Sequence, residues 1–207
     1  DDIALSATST ISVLSPGASI SAAVNLTSLP PLQPGSYYVC AKADGSNRIV
    51  ELDETNNTRC ADWPITVPPP DLLVSSVGTT TTMVAPGGSL ALANIVKNGG
   101  GSTAGSFKVA FALSADATYG GTDDVPLPAT RYVSSLTAGA ASIGSTTLTL
   151  PTTTPLGTYY VCALADVSQT VAESEEANNA LCTASPVLVS RPDLAVTNHG
   201  SGGYVSV

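Results

Sequence analysis

Positive charge is scarce in this chain: seven lysines and arginines stand against sixteen aspartates and glutamates, a formal net charge of −9. Those few cations are scattered and form no basic stripe, which argues against nucleic acid and anionic membrane as partners. Histidine is scarcer still. His199 is the single imidazole and sits in a Gly-rich tail, so no Ser-His-Asp arrangement can be built inside the body of the chain. Neither a G-x-S-x-G elbow nor a G-x-x-x-x-G-K-[ST] loop occurs. With one imidazole, a zinc site has too few ligands. The expectation is that the chain is not an enzyme. No apolar run approaches the roughly eighteen residues of a membrane span, and no basic-then-apolar leader opens the sequence, so a leader would lie upstream or have been removed.

What the sequence does contain is itself, twice. The stretch Gly35-Ser36-Tyr37-Tyr38-Val39-Cys40-Ala41-Lys42-Ala43-Asp44 returns as Gly157-Thr158-Tyr159-Tyr160-Val161-Cys162-Ala163-Leu164-Ala165-Asp166, 122 positions later. The same offset carries Glu51, Glu54, Asn56, Asn57 and Cys60 onto Glu173, Glu176, Asn178, Asn179 and Cys182. It also carries Pro70-Asp71-Leu72 onto Pro192-Asp193-Leu194, with no gap. A fixed period of this length reads as a window on a tandem array of domains a little over a hundred residues each. The divisions expected are residues 1–67 as the C-terminal part of one unit and a Pro-rich linker at 68–70. A complete unit at 71–190 and the opening of a further unit at 191–207 follow. A Pro-rich connector is stiff and extended, and so suits a spacer between domains.

Strands are expected near Leu72–Val77, Ser89–Asn98, Phe107–Ser114, Arg131–Leu136, Ser142–Leu150, Thr158–Asp166 and Ala180–Val189. Seven short strands between Gly and Pro turns, with no helical periodicity, predict an all-β antiparallel sandwich. In the partial first unit the pattern predicts a weak strand at Ile11–Leu14, a Ser/Thr-rich one at Ile20–Leu29, and another alternating through Ala61, Trp63, Ile65 and Val67. Alternation places Tyr37, Val39, Ala41 and Ala43 on the core face, with Tyr38, Cys40, Lys42 and Asp44 opposite. Four cysteines allow three pairings, and one Cys-x19-Cys unit per copy makes Cys40–Cys60 and Cys162–Cys182 the economical choice. Bridges of that loop length stabilise by on the order of 3 kcal/mol and belong to an oxidising compartment.

Four features are weighed as sites. Asp116, Asp123 and Asp124 flank a Gly-Gly turn and offer oxygens of the type Ca²⁺ takes, without the D-x-D-x-D-G spacing of an EF-hand loop. The acidic loops ending in Asn56-Asn57 and Asn178-Asn179 also offer oxygens of the type Ca²⁺ takes, weighed against a reading as turns entering the last strand with their carboxylates solvated. Of the paired tyrosines, one ring is expected to fill the core and the other to brace the corner before the strand. Leu194 and Val196, with Tyr204, Val205 and Val207, are the apolar positions of an opening strand available for assembly between subunits.

The order Pro70-Asp71-Leu72, Pro86-Gly87-Gly88-Ser89, Val96-Lys97-Asn98, Phe111-Ala112-Leu113-Ser114-Ala115-Asp116, Gly157-Thr158-Tyr159-Tyr160 and Glu173-Ser174-Glu175-Glu176-Ala177-Asn178-Asn179 resembles the CARDB family, the cell-adhesion-related domain found in bacteria. The resemblance implies immunoglobulin-like repeats of a microbial surface protein, without catalytic machinery or a required cofactor. The function expected is a structural module of an extracellular stalk or fibre, whose partners are neighbouring repeats or subunits of the same protein. The alternatives are an adhesive module taking a glycan or protein through its loops, with Ca²⁺, and an accessory domain of a secreted enzyme.

Overall fold

The computed structural model describes residues 2–26 and 29–194 and holds no helix among them. The chain divides into two compact units, Asp1–Val67 and Pro68–Val207. In the first, β1 (Gly35–Tyr37) pairs with β4 (Ile65–Val67) and β2 (Cys40–Lys42) with β3 (Thr58–Cys60), both antiparallel. In the second, the strands are β5 (Leu72–Gly78), β6 (Met83–Val84), β7 (Ser89–Asn98), β8 (Phe107–Ser114) and β9 (Val125–Val133). They continue through β10 (Ala141–Thr149), β11 (Gly157–Leu164), β12 (Ala180–Cys182) and β13 (Val187–Val189).

The second unit is a two-layer sandwich. One sheet runs β10-β7-β5; the other runs β6-β13-β11-β8-β9, with β12 also on β11. Strict alternation along β7 buries Leu90, Leu92, Asn94, Val96 and Asn98 and leaves the intervening side chains outward, the pattern of a sheet with one covered face. Leu72, Val74, Leu92, Val96 and Leu148 from the first sheet join Val109, Leu113, Val161, Val187 and Val189 from the second in a single apolar cluster. Each such side chain, fully buried, contributes about 1.5–3 kcal/mol. The core face read from the sequence holds here, with Tyr159, Val161, Ala163 and Ala165 all buried.

Several expected elements differ. The fourth strand starts at Val125 rather than Arg131 and hairpins onto β8, so Asp116–Asp124 is the connection that closes that hairpin. Pro126 and Pro128 do not forbid it, because proline is tolerated at the edge of a sheet. The last strand is broken in two at Thr183–Pro186, where the Val161 amide donates to Thr183 Oγ1 at 3.1 Å, a side chain standing in for a ladder carbonyl. Met83–Val84, not anticipated, runs parallel to β13.

The first unit reproduces only the end of this sandwich. Its β1 through β4 fall 122 positions before the corresponding parts of β11, β12 and β13. The strands expected at Ile11–Leu14 and Ile20–Leu29 are not formed among the described residues. Their counterparts in the second unit are held to β8 through Val133, to Ala104 through Leu136, and to β7 along β10. Among the described residues of the first unit no strand pairs with the two expected segments, and an unpaired extended segment has nothing to satisfy its backbone groups except water. Val39 is therefore 36% exposed where Val161 is 0%. The strand through Ala61–Val67 is likewise split, with Trp63 exposed in the gap.

Candidate functional site

The two cysteine pairs lie directly opposite one another in register, Cys40 against Cys60 and Cys162 against Cys182, and each pair is bridged. The Cα atoms are 3.8 and 3.9 Å apart. The bridge thus ties two strands of one sheet and does not cross between sheets. It sits on the face away from the core, yet Cys162 is fully buried there.

Between the bridged strands each copy folds its acidic loop in the same way. Asp44 and Asp166 take positive φ of 38° and 45°, and three residues later Asn47 and Gln169 take 52° and 49°. The Asp44 carboxylate accepts from the Ile49 amide at 2.7 Å and the Asp166 carboxylate from the Val171 amide at 2.7 Å. Backbone N–H donation, from Ile49 first and then Arg48, holds the Asp44 carboxyl below its ordinary value. Glu54 accepts from the Glu51 amide at 3.0 Å, and Glu176 from the Glu173 amide at 3.1 Å. Asn57 donates to Glu51, as Asn179 does to Glu173. These carboxylates are structural acceptors, not a solvated fringe.

In the second unit the loop also grips the chain entering the sandwich. Glu173 accepts from the Leu72 amide, the Ser174 amide donates to the Pro70 carbonyl at 2.9 Å, and Asn178 Nδ2 donates to Asp71 Oδ1 at 2.9 Å. From the other side the Gly101 amide donates to the Pro69 carbonyl and the Gly99 amide to the Asp71 carbonyl, at 3.2 and 2.7 Å. A Cβ at Gly100 would collide with the Pro69 carbonyl, which explains why this turn is built of glycine. Asn98, wholly buried, joins the parts: Oδ1 accepts from the amides of Asp71 and Gly100, and Nδ2 donates to the carbonyls of Ser102 and Leu136. Pro68–Pro70, expected as a Pro-rich linker, groups with the second unit, and Pro70 is buried.

Glu173 is the unusual titrating group. Burial pushes its carboxyl up from 4.5 to about 7, against the downward pull of the Leu72 amide and the Asn179 amide group, and the neighbouring Glu176 and Asp166 charges add to the rise. Sequence reasoning placed this residue in a solvated turn. The signal available was its recurrence at the 122-residue offset beside an equally recurrent Asn-Asn.

The carboxylates of the Gly-Gly turn also serve the backbone. Asp123 Oδ2 accepts from the Ala115 amide at 2.9 Å and from Ser114 Oγ at 3.2 Å, and amides at Asp123 itself and Ala115 hold its carboxyl below the ordinary value. Asp116 accepts from the Thr118 amide at 2.7 Å, and Asp124 from the Gly120 amide at 2.6 Å. Among the described residues no group of three or more His, Cys, Asp or Glu side chains is placed to hold a metal ion. The tyrosine roles merge in one residue: Tyr159 is buried in the core and its hydroxyl donates to the Pro155 carbonyl four positions upstream at 3.3 Å, while Tyr160 is only partly buried. Tyr37 repeats the contact, donating to the Gln33 carbonyl at 2.8 Å. Of the opening-strand positions, Leu194 is exposed; Val196, Tyr204, Val205 and Val207 lie outside the described residues.

The open depression against β5 and β7 is lined by Ser76, Gly78, Thr79, Thr80, Ala91, Ala93 and Ser145, small groups without a titratable side chain. It offers no acid, base or nucleophile pair in the sense catalysis requires.

The fold and its loops define an immunoglobulin-like β-sandwich module. The CARDB family profile matches residues 1–61 and 69–183, and the chain belongs to that family. A CARDB domain from Pyrococcus furiosus, crystallised in complex with di-metal ions, is 24% identical, covering 61% of this chain and 93% of that one with a TM-score of 0.42. A domain of a protein named for the cell surface, from Methanosarcina acetivorans, is 21% identical over 59% of this chain and 94% of that one, TM-score 0.41. A β-glucosidase from Listeria innocua is 21% identical over 61% of this chain but only 17% of its own, TM-score 0.34. No curated protein matches the chain.

Proposed function

We propose that this chain is a structural repeat module of an extracellular or cell-surface protein, contributing length and resistance to unfolding to a stalk or fibre. The observation that carries this reading is the use made of the loops. In both copies the acidic loop is closed by a bridge at its base and its carboxylates and amides are engaged with its own backbone. In the second copy the same loop fixes the entering proline segment, so its polar groups serve chain geometry rather than a ligand. A bridged, self-bonded loop suits the oxidising, protease-rich space outside a cell. Neighbouring repeats or subunits of the same protein are the partners of such a module.

The test is a glycan array probed with the full chain in the presence and absence of Ca²⁺. Uniform silence under both conditions is the expected outcome. Saturable binding that disappears on substitution of Asp116, Asp123 and Asp124, or of the acidic-loop residues, would replace the structural role with adhesion.

A further inference from the structure

We propose that β10 is a docking edge for a second copy of this chain, the two β10 strands pairing antiparallel about a two-fold axis at Ser145 and joining their three-stranded sheets into one. An open strand edge is a row of unpaired amides and carbonyls, and folds usually blunt it. The other edges of this sandwich are blunted. β6 and β12 are two and three residues long, and β9 carries Pro126 and Pro128 with a register shift at Ala110–Phe111 of its partner. β5 is interrupted by a shift between Val74 and Ser76, and its first amide is taken by Glu173. Among the edges described, β10 alone keeps nine residues in unbroken register, without proline or charge.

Its outer side is free. At the two ends of the ladder the Asn98 amide donates to the Ala140 carbonyl and the Leu150 amide to the Gly88 carbonyl, which turns the main-chain groups of Ser142, Gly144, Thr146 and Leu148 toward β7. Those of Ala141, Ile143, Ser145, Thr147 and Thr149 therefore point away from it, and no strand among the described residues is laddered there. Across the open seam Arg131 of β9 donates to Ser142 Oγ at 2.8 Å and to Asn94 Oδ1 at 3.0 Å, lying over Gly144 between the layers and leaving the outward row unengaged.

What fits this edge is the edge itself. A two-fold through Ser145 sets Ala141 against Thr149 and Ile143 against Thr147 of the second copy, so each outward main-chain group meets its complement in phase. Ile143, 78% exposed, gains a β-branched neighbour on the outer face. Charge permits the approach: the chain carries −9, yet no charged residue occurs from Val133 to Ala165, so two copies meet along β10 without opposing their carboxylates. This deepens the structural role proposed above by naming the surface through which subunits of the same protein meet. A chain that stays single would leave that role standing, since its own test is ligand binding.

Pairing through one strand edge buries little surface, so a weak dimer is expected. Sedimentation equilibrium of the full oxidised chain, from micromolar to millimolar concentration, should show the average mass rising from one chain toward two. Ser145→Pro removes an outward amide and none that β7 uses, and Ser145→Lys sets two cations face to face on the axis; each should hold the mass at one chain. Ala93→Lys, beside Ser145 on the same sheet face but one strand further in, should leave the rise unchanged. In the unmodified chain, hydrogen exchange at the amides of Ile143, Ser145 and Thr147 should slow with concentration while that of Gly144 and Thr146 does not. A chain that remains single throughout the range, or a dimer that persists in both Ser145 variants, overturns the docking edge, as does exchange at the outward amides that ignores concentration.

Discussion

Val161 and Val39 are the same residue in two copies of one hairpin, and what distinguishes them is the sheet that lies over the first. Val161 is 0% exposed within the apolar cluster, whereas Val39 is 36% exposed. Truncation removes transfer free energy and leaves a cavity only where neighbours surround the side chain. Val161→Ala should therefore lower the unfolding free energy by about 2 kcal/mol, and Val39→Ala by less than about 0.5 kcal/mol, in denaturant titrations followed by tyrosine fluorescence. Equal effects would mean that Val39 is buried in solution. Tyr159 shows the same economy at a single position, its ring in the core and its hydroxyl on the Pro155 carbonyl; the residue pattern announced a tyrosine corner but divided the two tasks between neighbours.

At the scale of elements, the bridge is a constraint placed where the ladder is weakest. β12 carries only three residues on β11 before Thr183 interrupts the pairing, and the loop it closes spans 20 positions. Replacing Cys162 and Cys182 together by serine should cost about 3 kcal/mol, with a further penalty because a hydroxyl at 162 has no water to bond, measured as a drop in melting temperature. An unchanged melting temperature would show that the bridge constrains nothing the sheets do not already hold. Much of this layer was legible beforehand: β7 and β8 run over the expected Ser89–Asn98 and Phe107–Ser114, because period-2 alternation between glycine turns is a local signal. The proline cradle was not. Pro68-Pro69-Pro70 reads locally as a stiff spacer, and what docks it are partners about 30 and about 100 positions downstream, Asn98 to Gly101 and Glu173 to Asn178. Pairing at that separation leaves no periodic trace.

Over the whole molecule the two units differ in how they resist attack. The second encloses a core that draws on both sheets, and Lys97, Lys108 and Arg131 stand on ladder-paired strands, Arg131 further tied to Asn94 and Ser142; its fourth cation, the exposed Arg191, is followed by Pro192, a bond trypsin does not cut. The first unit has two short ladders and exposes Arg48 in the loop between its bridged strands. A protease needs locally unfolded chain, which is cheap where few contacts must break. Brief trypsin treatment should therefore cut at Arg48 first. Because that peptide bond lies between Cys40 and Cys60, the nicked chain should run at full size on a non-reducing gel and separate only on reduction, while the segment from Pro68 onward stays whole. Fragments released without reductant would show that the first bridge does not form. Cutting within 71–190 at the same rate as at Arg48 would show that the cores do not differ. A bridge that keeps a cleaved loop in place suits the structural role proposed above, and in the second copy that loop is the one holding the entering chain.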